Sequence, residues 1–151
     1  MSADRKFEML FGSTEKIQVA GNYVPCVRSG NLVFVSGMLP RKGGNLTHTG
    51  KLGVELGKEA GYNAAKNAVL YALMALKSEL GSLDMIQRVV QLVVYVNCSE
   101  NFTDIAYVAN GASDTLVEVF GDCGVHTRIS VGVASLPMNS PVELCLTVET
   151  R

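Results

Sequence analysis

The feature that most limits the fold is a twelve-residue run from Ile86 to Asn97, which reads IQRVVQLVVYVN. Valine, isoleucine and tyrosine favour extended backbone, because branched and aromatic side chains pack well on a pleated surface. The run is nearly apolar throughout, which is typical of a strand that is covered on both faces. We therefore expect Ile86–Asn97 to be a strand that is buried on both faces and central in its sheet.

Helical patterns precede and follow this strand. Residues 55–80 predict an amphipathic helix that ends at Gly81, because their apolar positions recur at steps of three and four: Ala65, Ala68, Val69, Ala72, Leu73, Leu76 and Leu80. Residues 102–120 predict a second helical region, which is interrupted at Asn110 and Gly111. Two helices are thus expected in the domain.

Shorter strands are predicted at both ends of the chain. Residues 23–28 and 32–36 are β-prone runs separated by Ser-Gly-Asn, a sequence that suits a hairpin turn. Residues 128–134 and 142–149 flank a loop and predict a second hairpin-like pair. A glycine-rich stretch at 40–53 predicts a loop that can border a binding cleft.

These elements predict an α+β domain in which both helices pack on one face of the sheet. Residues two apart on a strand share a face, so Arg128 lies with Ser130, and Glu143 lies with Cys145. If these are the same face, Arg128 and Glu143 both lie on the side without helices. Only 18% of the residues are charged, which suggests that other subunits cover part of the surface.

The length of the chain, 151 residues, predicts a single domain over residues 1–151. We expect residues 1–12 to form a loosely ordered N-terminal segment, and its charges, Asp4, Arg5 and Lys6, do not suit a signal peptide. The sequence also lacks the ~20 consecutive apolar residues of a membrane helix. We therefore expect a cytoplasmic protein that has no membrane partner.

Charge and cysteine spacing exclude two further classes. The formal net charge is −1 and basic residues form no patch, so a nucleic-acid partner is not expected. The four cysteines show no Cys-x-x-Cys spacing and only two histidines are present, which suits neither zinc nor a disulfide framework. We expect reduced thiols, no metal and no cofactor.

Arg128 and Glu143 are the main candidates for chemistry. The planar guanidinium of Arg128 could hold a carboxylate in two hydrogen bonds, or it could be a structural group paired with Glu143 or Glu149. Glu143 could act as a general base whose pKa is raised by burial, or it could simply pair with an arginine. The spacing leaves these alternatives open.

Three polar residues at element boundaries are weaker candidates. Ser36 could donate to a ligand and Gly37 could let a ligand approach the backbone, but Ser-Gly also ends ordinary strands. Tyr23 and Asn110 could contact a ligand, or they could be turn and cap groups.

Three segments together resemble the Rid (YjgF-type) family of enamine/imine deaminases, from about residue 21 to 149: GNYVPCV, LVFVSGMLP and RISVGVASLPMNSPVELCLTVE. The last is the most specific, because it combines an arginine on a strand, a Leu-Pro turn and a glutamate fifteen positions after the arginine. The long Asn-Gly helical region resembles a longer subgroup that is also described as endoribonuclease L-PSP-like.

The resemblance implies a chorismate-mutase-like fold that assembles as a homotrimer with sites in the clefts between subunits. It implies hydrolysis of 2-enamine and 2-imine acids to 2-oxo acids and ammonia without metal or cofactor. By the same resemblance, Arg128 would clamp the substrate carboxylate and Glu143 would hold or activate the attacking water. The other residues that it would bring to the cleft are Tyr23, Ser36, Asn110 and Ser130.

Two other functions compete with a deaminase. One is a trimeric binding protein that captures small carboxylates, such as 2-oxo acids, through Arg128 without turning them over. The other is a ribonuclease or translation inhibitor, which the net charge of −1 and the lack of a basic patch argue against.

Overall fold

Seven strands and three α-helices make up the fold in the computed structural model, which describes residues 1–12 and 15–151. The helices are α1 (Ala3–Phe11), α2 (Lys58–Leu80) and α3 (Ile105–Phe120). The strands are β1 (Cys26–Ser29), β2 (Leu32–Met38), β3 (Arg41–Lys42), β4 (Asn45–Leu46), β5 (Ile86–Asn97), β6 (Thr127–Val133) and β7 (Val142–Thr150). This is a mixed α+β fold, as the sequence predicts.

Five of these strands form one mixed sheet in the order β1-β2-β7-β5-β6. The β1–β2 hairpin is confirmed, but the expected pairing of β6 with β7 is wrong. Strand β5 lies between them, parallel to β6 and antiparallel to β7. Strand β5 is therefore an interior strand, while β7 occupies the middle of the sheet. The glycine-rich stretch holds a small hairpin, β3–β4, which was not expected there.

Helices α2 and α3 pack together on one face of the sheet, as predicted. Helix α2 ends at Gly81, which adopts the left-handed conformation that glycine favours. Helix α3 is continuous, whereas the sequence suggested a break at Asn110 and Gly111. Gly111 instead lets the two helices approach closely, because a Cβ there would overlap the backbone carbonyl of Tyr62.

The opposite face, which we call the open face, has no helix over it. The strand β5 is buried only on its helix side, so the expectation of burial on both faces is wrong for a single chain. Its Tyr95 is 38% exposed, and Ile129 on the neighbouring strand is 53% exposed. Other exposed apolar side chains of this face are Leu32, Phe34 and Val131.

The N-terminal segment differs from the loosely ordered one that the sequence suggested. The Ser2 hydroxyl accepts a hydrogen bond from the Arg5 amide and so caps α1. Phe7 and Phe11, one helical turn apart, stack with 5.5 Å between ring centroids and are buried in the core. The Asp4 carboxylate accepts hydrogen bonds from the Ser82 hydroxyl and the Leu83 amide, which ties α1 to the start of β5.

No helix in the part of the chain that the structure describes is long and apolar enough to cross a membrane. All four cysteines are free thiols, and burial raises the pKa of Cys26 to about 12. Cys26 is buried, Cys98 and Cys145 are partly buried, and Cys123 is exposed.

Candidate functional site

Arg128 lies on the helix side of the edge strand β6. In the sheet register it stands beside Leu92, a fully buried residue beneath the helices. Its Nη1 donates to Oδ1 of Asn110 at 2.8 Å and to Oγ of Ser113 at 3.0 Å, both on α3. The expectation that Arg128 lies on the side without helices is therefore wrong. The period of two shows which residues share a face but not which face that is.

The partners of Arg128 are neutral. Across residues 1–12 and 15–151, the ion pairs join Lys77 to Asp4 and Glu8, so Arg128 pairs with neither Glu143 nor Glu149. Among the described residues, Arg128 therefore does not form the structural ion pair with Glu143 or Glu149 that the sequence left open. The guanidinium keeps its charge and its remaining donors available for a carboxylate.

Ser113 and His126 extend the hydrogen bonds around Arg128. Nε2 of His126 lies 2.9 Å from Oγ of Ser113, and Nδ1 lies 2.6 Å from the Gly124 carbonyl. Because a carbonyl only accepts, Nδ1 carries the hydrogen, and Nε2 of the neutral ring is then an acceptor. The Ser113 hydroxyl therefore donates to His126 and accepts from Arg128.

Sequence reasoning missed both of these residues, although a signal was present. Ser113 lies three positions after Asn110 and so shares its helix face. His126 lies two positions before Arg128 in extended backbone and so shares its side. We call Asn110, Ser113, His126 and Arg128 the Arg128 group. Ser130 lies on the same side of β6 as this group, two residues further along.

Glu143 lies on the open face, because its partner in the register is Tyr95. The carboxylate is half-buried, and the loss of hydration raises the pKa of Glu143 above its ordinary value. It borders a cleft of about 340 Å³. We call this cleft the Glu143 cleft; its main lining residues are Gln18, Tyr23, Gly37, Arg41, Met138 and Glu143.

Gly37 makes room for the Glu143 carboxylate. A Cβ at this position would overlap Oε1 of Glu143, so only glycine fits without a shift. The register of β2 against β7 also changes between Val35 and Met38, which indicates a bulge at this point. Gly37 thus lies within β2 and is not a simple strand end; it accommodates the Glu143 side chain and also lines the cleft.

Tyr23 and Ser36 lie near this cleft in different ways. Tyr23 lines the cleft and is 50% exposed, so its hydroxyl can reach a bound molecule. The Ser36 hydroxyl donates to the Val24 carbonyl at 2.6 Å, which holds the segment beside Tyr23 in place. Because the hydrogen of Ser36 is used, only its lone pairs remain for a ligand.

The structure does not bring all the predicted site residues together in one chain. One set lies on the helix side of β6: Asn110, Ser130 and Arg128. The other set lies at or next to the Glu143 cleft: Tyr23, Ser36 and Glu143. In the part of the chain that the structure describes, no three His, Cys, Asp or Glu side chains cluster as metal ligands would.

Comparison with known proteins extends over nearly the whole chain. Residues 10–150 match the family model described as YjgF/chorismate mutase-like, putative endoribonuclease. Protein TCP17 from Trypanosoma cruzi is 45% identical over 131 residues, which are 86% of this chain and 82% of that protein.

Two solved structures have a very similar fold. The protein Atu1372 of unknown function, from Agrobacterium tumefaciens, matches with a TM-score of 0.89 and 36% identity over 99% of this chain and 92% of that one. A putative endoribonuclease from Shewanella oneidensis MR-1 matches with a TM-score of 0.93 and 29% identity over 99% of each chain. This chain therefore shares the fold of both proteins over nearly its whole length.

Proposed function

The chain belongs to the YjgF/chorismate mutase-like, putative endoribonuclease family, and from that premise we propose that it hydrolyses 2-enamine and 2-imine acids to 2-oxo acids and ammonia. One observation carries the proposal. A guanidinium without a carboxylate partner, Arg128, and a half-buried carboxylate in a cleft, Glu143, occur in the same small domain. The first suits a substrate carboxylate and the second suits a water molecule.

We propose further that the protein is a homotrimer, and that each site takes the Arg128 group from one subunit and the Glu143 cleft from its neighbour. Two features support this assembly. The open face exposes apolar side chains, including Phe34, Tyr95 and Ile129, which another subunit would cover. The edge strand β6 is paired on one side only, so a neighbouring subunit can approach it closely.

The proposed reaction begins with the bound imine. Arg128 holds the carboxylate of the substrate with two parallel hydrogen bonds, which fixes C2 beside the water held by Glu143. An enamine first takes a proton at C3 to become the iminium ion. Protonation of the imine nitrogen makes C2 electrophilic. Such positioning lowers the activation barrier by several kcal/mol.

Proton transfer by Glu143 completes the reaction. The water oxygen bonds to C2 as the carboxylate accepts the water proton, and the C=N electrons move to nitrogen. The carboxyl group then returns a proton to the nitrogen of this 2-amino-2-hydroxy acid. Its hydroxyl gives a proton back to the Glu143 carboxylate as the C–N bond breaks, which leaves the 2-oxo acid and ammonia. Burial raises the pKa of Glu143 above its ordinary value, which makes the carboxylate a better proton acceptor.

A carboxylate-binding protein without turnover is the second candidate. It is favoured by one observation: Asn110 and Ser113 hold Arg128, and His126 holds Ser113, without any contribution from Glu143. Such a protein would need Arg128 but not Glu143.

The test is the release of 2-oxo acid from freshly generated 2-iminopropionate and 2-iminobutyrate at equal protomer concentration. We expect wild type to accelerate the release, and Arg128→Ala and Glu143→Gln to lose the acceleration while their assembly is unchanged. Arg5→Ala, an exposed arginine of α1, is the matched control and should behave as wild type. A folded wild type that binds 2-oxobutyrate but accelerates nothing would establish the binding protein instead.

A further inference from the structure

Arg41 is an arginine in the Glu143 cleft that the proposed reaction does not use. It begins β3 and lines the cleft together with Tyr23 and Glu143. Its Nη2 lies 3.1 Å from the sulfur of Met138. A thioether is a weak acceptor, so this contact leaves the hydrogen-bonding capacity of a guanidinium almost unused.

No carboxylate of the described residues neutralises Arg41. The ion pairs over residues 1–12 and 15–151 involve Lys77 and not Arg41. Glu143 lines the same cleft, yet it lies beyond ion-pair distance. The pKa of Glu143 agrees, since burial raises it and no arginine lowers it. The cleft therefore holds a positive group and a carboxylate side by side without contact between them.

The turn that carries Met138 is held in an uncommon conformation. Met138 and Asn139 have φ values of 57° and 54°, in the left-handed region that non-glycine residues rarely adopt. Two contacts hold the turn: the side-chain amide of Asn97 donates to Oδ1 of Asn139 at 3.2 Å, and the Gly50 amide donates to the Asn139 carbonyl at 2.8 Å. Strained backbone of this kind persists where the surroundings fix it and often borders ligand sites.

We infer that Arg41 binds a second carboxylate, and that the substrates are therefore dicarboxylic 2-imino acids of the size of 2-iminosuccinate and 2-iminoglutarate. This inference rests on the proposed function. Arg128 holds the carboxylate next to C2, and Glu143 places the water beside C2. The side chain of the substrate then lies in the Glu143 cleft, where Arg41 offers a planar pair of donors in place of the Met138 sulfur.

Recognition of this kind discriminates strongly between substrates. A site built to hydrogen-bond a charged group rejects an analogue that lacks it, because the charge of the site is then left unpaired. The methyl and ethyl groups of 2-iminopropionate and 2-iminobutyrate cannot pair with Arg41. We expect kcat/KM for the dicarboxylic imino acids to exceed that for the monocarboxylic ones by at least tenfold.

The experiment compares kcat/KM on all four imino acids, freshly generated, for wild type, Arg41→Met, Arg41→Lys and Arg128→Ala. We expect Arg41→Met to lose at least ten times more on the dicarboxylic than on the monocarboxylic substrates, and Arg41→Lys to lie between it and wild type. Arg128→Ala should lose both classes alike. Lys42→Met is the matched control, because Lys42 is the next residue, is exposed and lies over the ring of Phe11.

Two results would overturn the inference. An equal loss on both classes in Arg41→Met would make Arg41 a general carboxylate clamp, and a wild type without preference would remove the second subsite. Failure of the proposed function looks different, since wild type would then turn over neither class. In that case, calorimetry tests the binding of the two 2-oxo acids. If wild type binds 2-oxoglutarate more tightly than 2-oxobutyrate and Arg41→Met does not, the inference is supported. If wild type binds both equally, the inference is contradicted.

Discussion

Arg128 and Glu143 lie on opposite faces of one sheet, two strands apart and three residues apart along the strands. With ~4.8 Å between strands and ~3.3 Å per residue, their Cα atoms are roughly 14 Å apart. A substrate of a few carbon atoms cannot contact both from within one chain. In the proposed enzyme, every site therefore requires two subunits.

Mixing two inactive variants should restore activity. In trimers assembled at random from equal amounts of Arg128→Ala and Glu143→Gln, about a quarter of the clefts receive an intact Arg128 from one subunit and an intact Glu143 from the next, which is one half of one half. We expect about a quarter of the wild-type rate after co-refolding, measured as release of 2-oxo acid. A mixture as inactive as its components would show that both residues act within one subunit or that neither acts.

Replacement of Gly37 by alanine should displace the Glu143 carboxylate. The added Cβ would overlap Oε1, so the carboxylate must move by about an ångström, and displacement of that size costs up to ~100-fold in rate. Activity and the melting temperature of Gly37→Ala provide the check. Gly57→Ala is the matched control, because a Cβ at Gly57 meets only the Glu59 carboxylate, at 3.8 Å. A fully active Gly37→Ala would remove Glu143 from the reaction.

Loss of the Ser113 hydroxyl should weaken the hold on Arg128. Ser113→Ala removes the acceptor at 3.0 Å from Nη1 and the donor to His126, while Asn110 remains. A hydrogen bond to a charged group contributes ~1.5–3 kcal/mol, so we expect KM to rise by about tenfold to 100-fold with little change in kcat. Ser29→Ala, at an exposed serine of β1, should leave KM unchanged. An equal KM in both variants would show that Asn110 alone positions Arg128.

The Glu143 side chain should lower the free energy of unfolding at neutral pH. Burial raises its pKa in the folded state, so the folded protein binds more protons than the unfolded chain between the two pKa values. Stability therefore falls as the pH rises from the unfolded pKa, ~4.3, through the folded one. Glu143→Gln should therefore be more stable than wild type at pH 7, because the amide carries no charge for burial to disfavour.

The same comparison at pH 4 should show no difference, because Glu143 is then largely protonated in both states. Urea denaturation at a fixed protomer concentration measures both values, since assembly also contributes to the unfolding midpoint. A wild type more stable than Glu143→Gln at pH 7 would reveal a favourable partner for the charged carboxylate.

A charge on the open face should separate the subunits. Ile129 is 53% exposed there, and Ile129→Glu would bury an unpaired carboxylate in the proposed interface, at a cost of several kcal/mol. We expect sedimentation of a monomer for this variant and of a trimer for wild type. Val117→Glu places the same change on α3, away from the open face, and should remain trimeric. Wild type that sediments as a monomer would contradict the assembly itself.

Local patterns in the sequence predict most of the elements of this fold. The apolar steps of α2, the turn between β1 and β2 and the strict alternation of β7 all depend on neighbours within a few residues. Helix α1 was missed because its contribution to the core is only two rings, Phe7 and Phe11, among charged residues.

The remaining differences arise from contacts between distant parts of the chain. Strands β6 and β7 are close in sequence, yet β5 lies between them in the sheet. No local sequence pattern predicts this position of β5. The apolar residues of β5 look the same whether a helix or another subunit covers them. For the candidate site, spacing and resemblance pointed to Arg128 and Glu143 as candidates, but the face on which each lies follows from the pairing of strands. Arg41 had no pattern of its own, and His126 was indicated only by its place two positions before Arg128.

Because α2 and α3 cross closely, some positions of the chain tolerate substitution less well than others. Gly111, which cannot carry a side chain beside the Tyr62 carbonyl, is the residue next to Asn110 and lies two before Ser113. A mutation in this turn of α3 therefore disturbs both the helix crossing and the hydrogen bonds that position Arg128. The exposed turn at Met138 has no such constraint on its side chain. In the proposed enzyme, new substrate preferences can therefore evolve at that turn and at Arg41 while Arg128 holds the substrate carboxylate as before.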